Sequence, residues 1–234
     1  MAAPTTFELL WGEPPRPRRG PKPSLSLERI VAEAIALADA DGLANLSMQH
    51  LAERLGCAKM ALYRYVPGKA ELVALMVDAG LGDPPEVPGG ASWQAVLRLW
   101  AMTIFDRYRA HPWAIEASAG ARPTGPQEMA WMEIALGALA DTGLTGPERL
   151  DAVVLVNGHV RSLVQVTSPG QQDLEAGMAR QVGAVLAAQP DRYPQVLAAF
   201  SGSPPGAGRD NALQFGIDRI LDGLAALIAT RSAD

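Results

Sequence analysis

Along this chain apolar positions recur three and four residues apart, in runs separated by glycine and proline, and no stretch alternates as a strand does. That spacing predicts helices throughout. The first long helix spans about Ser26 to Asp41, with Ile30, Val31, Ala34, Ile35, Leu37 and Ala38 as its stripe and Gly42 as its end. Leu51, Ala52 and Leu55 mark a second, shorter helix that Ser47 caps and Gly56 closes. The chain restarts at once: Cys57, Leu62 and Val66 face inward, while Lys59, Met60, Ala61, Tyr63, Arg64 and Tyr65 stay largely outside. Pro67 and Gly68 stop this third helix, and ELVALMVDAGL forms a fourth.

GDPPEVPGG, residues 82–90, has loop chemistry throughout and is the clearest boundary in the chain. Beyond it helical stretches alternate with Gly/Pro breaks. One carries Trp93, Val96, Leu97, Trp100, Ile104 and Tyr108 near one face. Another carries Met129, Met132, Leu136 and Leu139. A third opens at Pro147 and is almost wholly apolar in its middle, and the last covers NALQFGIDRILDGLAALIATR. The fold class read from this is all-α: an N-terminal three-helix helix-turn-helix domain plus a C-terminal helical bundle. The expected divisions are an N-terminal segment 1–24, a helix-turn-helix domain 25–82 and a helical domain 91–234.

Two short helices joined by a tight turn suit DNA, where the second projects its outer face into the major groove. Lys59 can donate to guanine O6 or N7, and Met60 and Ala61 can touch a thymine methyl. Tyr63, Tyr65 and Lys69 are expected to hold phosphates, and Ser47 and Gln49 stand in the first turn of the preceding helix. The competing reading is two ordinary bundle helices with half-buried tyrosines and an exposed Gln49.

Residues Leu25 to Leu81 resemble the DNA-binding domain of the TetR family of bacterial transcriptional regulators. The resemblance is carried by ERIVAEAIALADADGLANLSMQHLAERLG and then LYRYVPGKAELVALMVD. The family's LY–x–x–V–x–x–K core stands here as Leu62, Tyr63, Val66 and Lys69. The ending FGIDRILDGLAALI, and more loosely RYRAHPWAIE, resembles the C-terminal domain of one large group of the family. The resemblance implies a homodimer held by residues 147–167 and 211–231, with Val153, Val160, Ile217, Ile220, Leu221, Leu224 and Ile228 at the interface. Purely intrachain packing is the alternative for these positions.

Composition narrows the picture further. The formal net charge of −5 argues against a general nucleic-acid coat, but a specific repressor needs only a local basic surface. RPRRGPKPS supplies one: Arg18, Arg19 and Lys22, with Arg16, form an extended arm able to reach phosphates or a neighbouring minor groove, or else a solvated tail. Before it, FELLW either docks as a short turn or stays unstructured. A single cysteine, Cys57, excludes an intrachain disulfide and fits a cytoplasmic location. No apolar run is long enough for a bilayer, and no signal-peptide layout is present. His50, His111 and His159 have no metal-ligand spacing, and phosphate-loop and nucleophile-elbow motifs are missing. An enzyme is therefore not expected, nor a cofactor or metal.

Trp100, Ile104, Trp113, Trp131 and Met132 can line an apolar cavity, with Asn157 and Arg161 as polar groups among apolar neighbours. Either they hold a small hydrophobic effector or they are a packed core. The reading as a whole is a regulator whose double-stranded DNA operator is roughly palindromic, most simply a repressor released when effector binding shifts the fourth helix. The alternatives are a co-repressor-dependent regulator and a helical interaction protein without DNA binding.

Overall fold

The computed structural model describes residues 4–12, 25–166, 182–183, 185–186, 188–189, 191–201 and 211–231. Among these there are eleven α-helices, one 3-10 turn and no strand, as the spacing predicts. They are α1 (Thr6–Trp11), α2 (Leu27–Asp41), α3 (Met48–Leu55), α4 (Lys59–Leu62), α5 (Lys69–Leu81) and α6 (Trp93–Ala110). α7 (Trp113–Ala117), α8 (Pro126–Ala138), α9 (Gly146–Val166), α10 (Pro194–Ser201) and α11 (Asn211–Arg231) follow. The 3-10 turn, Leu43–Asn45, joins α2 to α3.

Side-chain caps set several helix starts, Ser47 among them as the sequence suggests. Ser26, Ser47 and Ser92 each accept a backbone N–H at the start of α2, α3 and α6. Gly56 closes α3 in the left-handed region, with φ 66°. α1 forms on a Thr5–Glu8 capping box, and Trp11 Nε1 donates to the Thr124 carbonyl at 2.9 Å, so FELLW docks.

The chain forms two compact units, residues 1–153 and 154–234. Within the first, several bonds cross the 82–90 loop. Trp131 Nε1 donates to the Gly82 carbonyl at 2.9 Å, and Trp113 lies in one core with Ile30, Leu37, Leu51, Leu62, Leu72 and Met76. In α8 the buried face is Trp131, Ala135 and, just beyond the helix, Leu139. Met129 and Met132, expected inside, are exposed. The buried row Trp131, Ala135 and Leu139 repeats every four residues, and Met129 and Met132, two before and one after Trp131, fall off that face.

In the second unit the His159 ring packs where a Gly216 side chain would stand, and His159 Nε2 lies 3.3 Å from the Leu213 carbonyl oxygen. α9 and α11 meet there.

Candidate DNA-reading surface and effector cleft

Leu62 and Val66 are fully buried, and that fixes which way the recognition segment faces. α4 is only four residues long, shorter than expected, because Ala58 offers no side-chain cap and the next bonds are turn-like, Tyr65 N to Leu62 O at 2.9 Å among them. Lys59 and Arg64 are exposed, and Met60 is 72% exposed. Ala61 and Tyr63 are half-buried beside them. Lys59 and Arg64 flank Met60 on this outward side, and two cations beside an exposed apolar tip suit a polyanion.

Ser47 spends its hydroxyl as the α3 cap, accepting from His50 N at 3.1 Å. Gln49 is exposed and donates to Glu53 at 2.8 Å along the same helix. Lys69 opens α5 and donates to the Leu43 carbonyl at 3.2 Å, which leaves ammonium protons for an anion. Tyr65 needs correction. Its hydroxyl donates to the Leu25 carbonyl at 2.9 Å and its ring packs on the core, so its one donor is not offered to a phosphate. Arg18, Arg19 and Lys22 lie outside the described residues.

The expected effector residues are distributed over both units. Trp100 and Trp131 are buried edge to face at 5.8 Å, and Trp100 Nε1 donates to the Trp131 carbonyl at 2.8 Å. Ile104 is buried on the same helix as Trp100, while Met132 is exposed. Trp113 belongs to the N-terminal core, where Nε1 donates to Asp39 Oδ1 at 2.7 Å. Its polar edge is thus spent on Asp39 and its ring is covered by the core. Asn157 and Arg161 stand in the second unit, and Asn157 Oδ1 is buried without a hydrogen-bond partner.

A small cleft opens among α5, α6, α7 and α8. Val77, Gly80, Leu81 and Ala114 are its apolar wall, and Arg107, Tyr108, His111, Ser118 and Glu128 its polar one. Its free space of about 20 Å³ is on the order of one water molecule. Beside it lies a charged cluster. Asp78 Oδ1 accepts from the Gln127 and Glu128 N–H groups at 2.9 and 3.2 Å and so caps α8. Glu128 takes both Arg122 nitrogens at 2.7 and 2.6 Å. Burial pushes the Asp78 carboxyl above the usual range, only partly offset by those two N–H groups. Glu128 ends below its usual value: burial pulls upward, but the Arg122 hydrogen bonds, the Gly125 N–H and the Arg122 charge outweigh it. No periodic pattern marks these residues; only the lone aspartate in the apolar run LMVDAGL hinted at them.

The expected interface residues lie on α9 and α11. Val153, Val160, Ile217, Leu221 and Leu224 are buried within the single chain, and Ile220 and Ile228 are half-buried. The large apolar residues open to solvent on these helices are Leu150, Val154 and Leu155 on α9 and Phe215 and Leu227 on α11. The sequence showed two wide apolar stripes but not which edge of each the chain covers itself. Among the described residues no helix is long and apolar enough to cross a membrane.

Comparison with known proteins agrees with this architecture. Residues 30–76 match the family model described as bacterial regulatory proteins, tetR family. Residues 84–228 match the tetracyclin repressor-like C-terminal domain. The HTH-type transcriptional repressor DrrR1 of Streptomyces coeruleorubidus is 40% identical, over 98% of this chain and 88% of that protein. An HTH-type transcriptional regulator of Saccharopolyspora erythraea is 32% identical over 93% of this chain and 91% of its own. Apo ActR of Streptomyces coelicolor superposes with a TM-score of 0.72 at 25% identity, covering 90% of this chain and 99% of that one. ActR in complex with actinorhodin gives 0.71 at 26% identity, covering 87% and 98%.

Proposed function

Since this chain belongs to the TetR family of bacterial regulatory proteins, and is a DNA-binding transcriptional regulator, we propose that it is a homodimeric repressor released by a small effector. The observation that carries the DNA-reading part is the outward row Lys59, Met60 and Arg64, held on a segment whose Leu62 and Val66 are fully buried. In that reading Lys59 meets a base edge or phosphate, Met60 and Ala61 meet a thymine methyl, and Tyr63, Gln49 and Lys69 flank them. The arm residues Arg18, Arg19 and Lys22 add phosphate contacts. The regulator reads DNA through residues 25–82 and senses and dimerises through 91–234, a division supported by family matches that end at 76 and resume at 84.

The dimer uses α9 and α11 by the edges that the chain leaves uncovered, Val154, Leu155, Phe215 and Leu227. The effector enters at the cleft bounded by Arg107, Tyr108, His111 and Glu128, with Trp100 and Ile104 on the same α6. A drug-sized ligand needs about 300 Å³ or more, so entry must part α5 from α6–α8. Parting them moves α5 and with it the recognition segment. The relative solved in complex with actinorhodin supports a small-molecule effector.

The test is selection of bound DNA from a random pool by the purified dimer, at fixed physiological salt. An enriched inverted repeat, lost with Lys59→Ala and released by actinorhodin as the first probe ligand, supports the reading. A folded dimer that enriches nothing, with or without the probe, overturns the operator reading. Enrichment only in its presence would replace release by co-repression.

A further inference from the structure

One carboxylate joins the DNA-reading module to the wall of the cleft. Asp39 Oδ1 lies 2.8 Å from His111 Nδ1 and accepts from Trp113 Nε1 at 2.7 Å. Beside a carboxylate the His111 proton belongs on Nδ1, so both groups donate to one oxygen. Asp39 sits in the last turn of α2, where no basic residue stands and where a negative charge opposes the helix dipole. An aspartate there is locally unfavourable, and the two donors offset that cost.

The corner that supplies them is wedged into the module. Trp113 is 6% exposed and packs in the same core as Leu37, Leu62 and Leu72. A Cβ built on Gly80 of α5 would lie 3.6 Å from the Trp113 ring and 3.5 Å from the His111 ring. The corner is thus held between α2 and α5, the helices flanking the recognition segment. The same corner lines the cleft through His111 and Ala114.

We infer that Asp39 is a positioning residue: it fixes the angle of α2 on the His111–Trp113 corner, and thereby the half-site spacing that the dimer accepts. This rests on the operator reading above. With the acceptor in place the module turns only as the corner turns, so two modules in a dimer present their recognition segments at one separation. Half-sites lie about 34–36 Å apart on the duplex, and a freely turning module would tolerate other spacings.

The experiment uses the full-length dimer, the inverted repeat selected by the wild type, and versions with one base pair added or removed between half-sites. Wild type should discriminate strongly between spacings. Asp39→Ala should bind the native spacing about fivefold to tenfold more weakly, as expected for two partly solvated, charge-assisted bonds, and should lose most of its discrimination. Asp39→Asn keeps an Oδ1 acceptor and should restore much of it. Trp113→Phe removes one donor and should be intermediate, which keeps the inference testable if Asp39→Ala does not fold. A merely structural residue would lower stability and leave spacing preference as it was. Wild-type discrimination in folded Asp39→Ala or Trp113→Phe dimers overturns the inference alone. A wild type that selects no inverted repeat overturns the operator reading, and this inference with it.

Discussion

A side chain at Gly125 would overlap the Asp78 carboxylate, which fills that space while it caps the N-terminus of α8. Gly125 is itself buried, and its φ of −86° is open to any residue, so glycine is required here by close approach and not by backbone conformation. The pair ties α5, which leads from the recognition segment, to α8 on the far side of the 82–90 loop.

Gly125→Ala should therefore destabilise the protein by about 2–3 kcal/mol, as overpacking against a fixed neighbour does. Asp78→Ala in the same chain should recover part of the loss by removing the carboxyl, the closer part of the overlap, while the Cβ contact remains. Urea denaturation of the single and double variants measures both, and a neutral Gly125→Ala would contradict the described geometry.

The same carboxylate predicts a pH dependence. Asp78 has its folded pKa raised, chiefly by burial, so the folded state holds its proton more tightly than the unfolded chain does. Stability from this group therefore falls as pH rises from about 3.9, the unfolded value, through the raised folded value. Asp78→Asn keeps an acceptor for Gln127 and Glu128 and has no such proton. Its stability relative to wild type should climb over that window and level off above it. Glu128 works oppositely: its lowered pKa gives stability that is present above the unfolded value and lost as pH falls through the folded one. Denaturation midpoints between pH 4 and 7 decide it, and a pH-independent difference would remove the burial argument.

In the second unit Gly216 has no room for a methyl, since the His159 ring fills the place. Gly216→Ala should cost about 1–3 kcal/mol, and His159→Ala should relieve it in the double variant. Additive losses in a thermal-melt cycle would mean that the two positions do not touch.

The open and covered edges of α9 and α11 make separable predictions. Leu155→Glu and Phe215→Glu alter residues 53% and 62% exposed, so each should yield a folded monomer with native helix content. Ile217→Glu puts a charge where no surface is exposed and should lose the fold itself, at a cost of about 3–5 kcal/mol or more. Light scattering together with circular dichroism separates the cases. A dimeric Leu155→Glu, Phe215→Glu double variant would place the interface elsewhere.

Much of this molecule follows from local rules that a sequence states openly. Ser26, Ser47 and Ser92 cap their helices, Gly56 closes α3, and stripes such as Ile30, Ala34 and Leu37 point to a core, because capping and helical periodicity depend on neighbours a few residues away. The outward set Lys59, Met60 and Arg64 follows in the same way from Leu62 and Val66 between and beyond them. What only the tertiary structure decided are meetings between residues far apart in the chain. Trp113 looked like a pocket residue, yet it plugs the N-terminal core, since an indole fits an apolar cavity and a packed core equally well. Tyr65 looked like a phosphate ligand, yet its hydroxyl turns to Leu25, forty positions away. Asp39 with His111, Asp78 with Gly125, and His159 with Gly216 are invisible to any periodicity. A wide apolar stripe such as that of α11 fixes that a helix is covered, but which edge the chain covers itself depends on where the other helices lie.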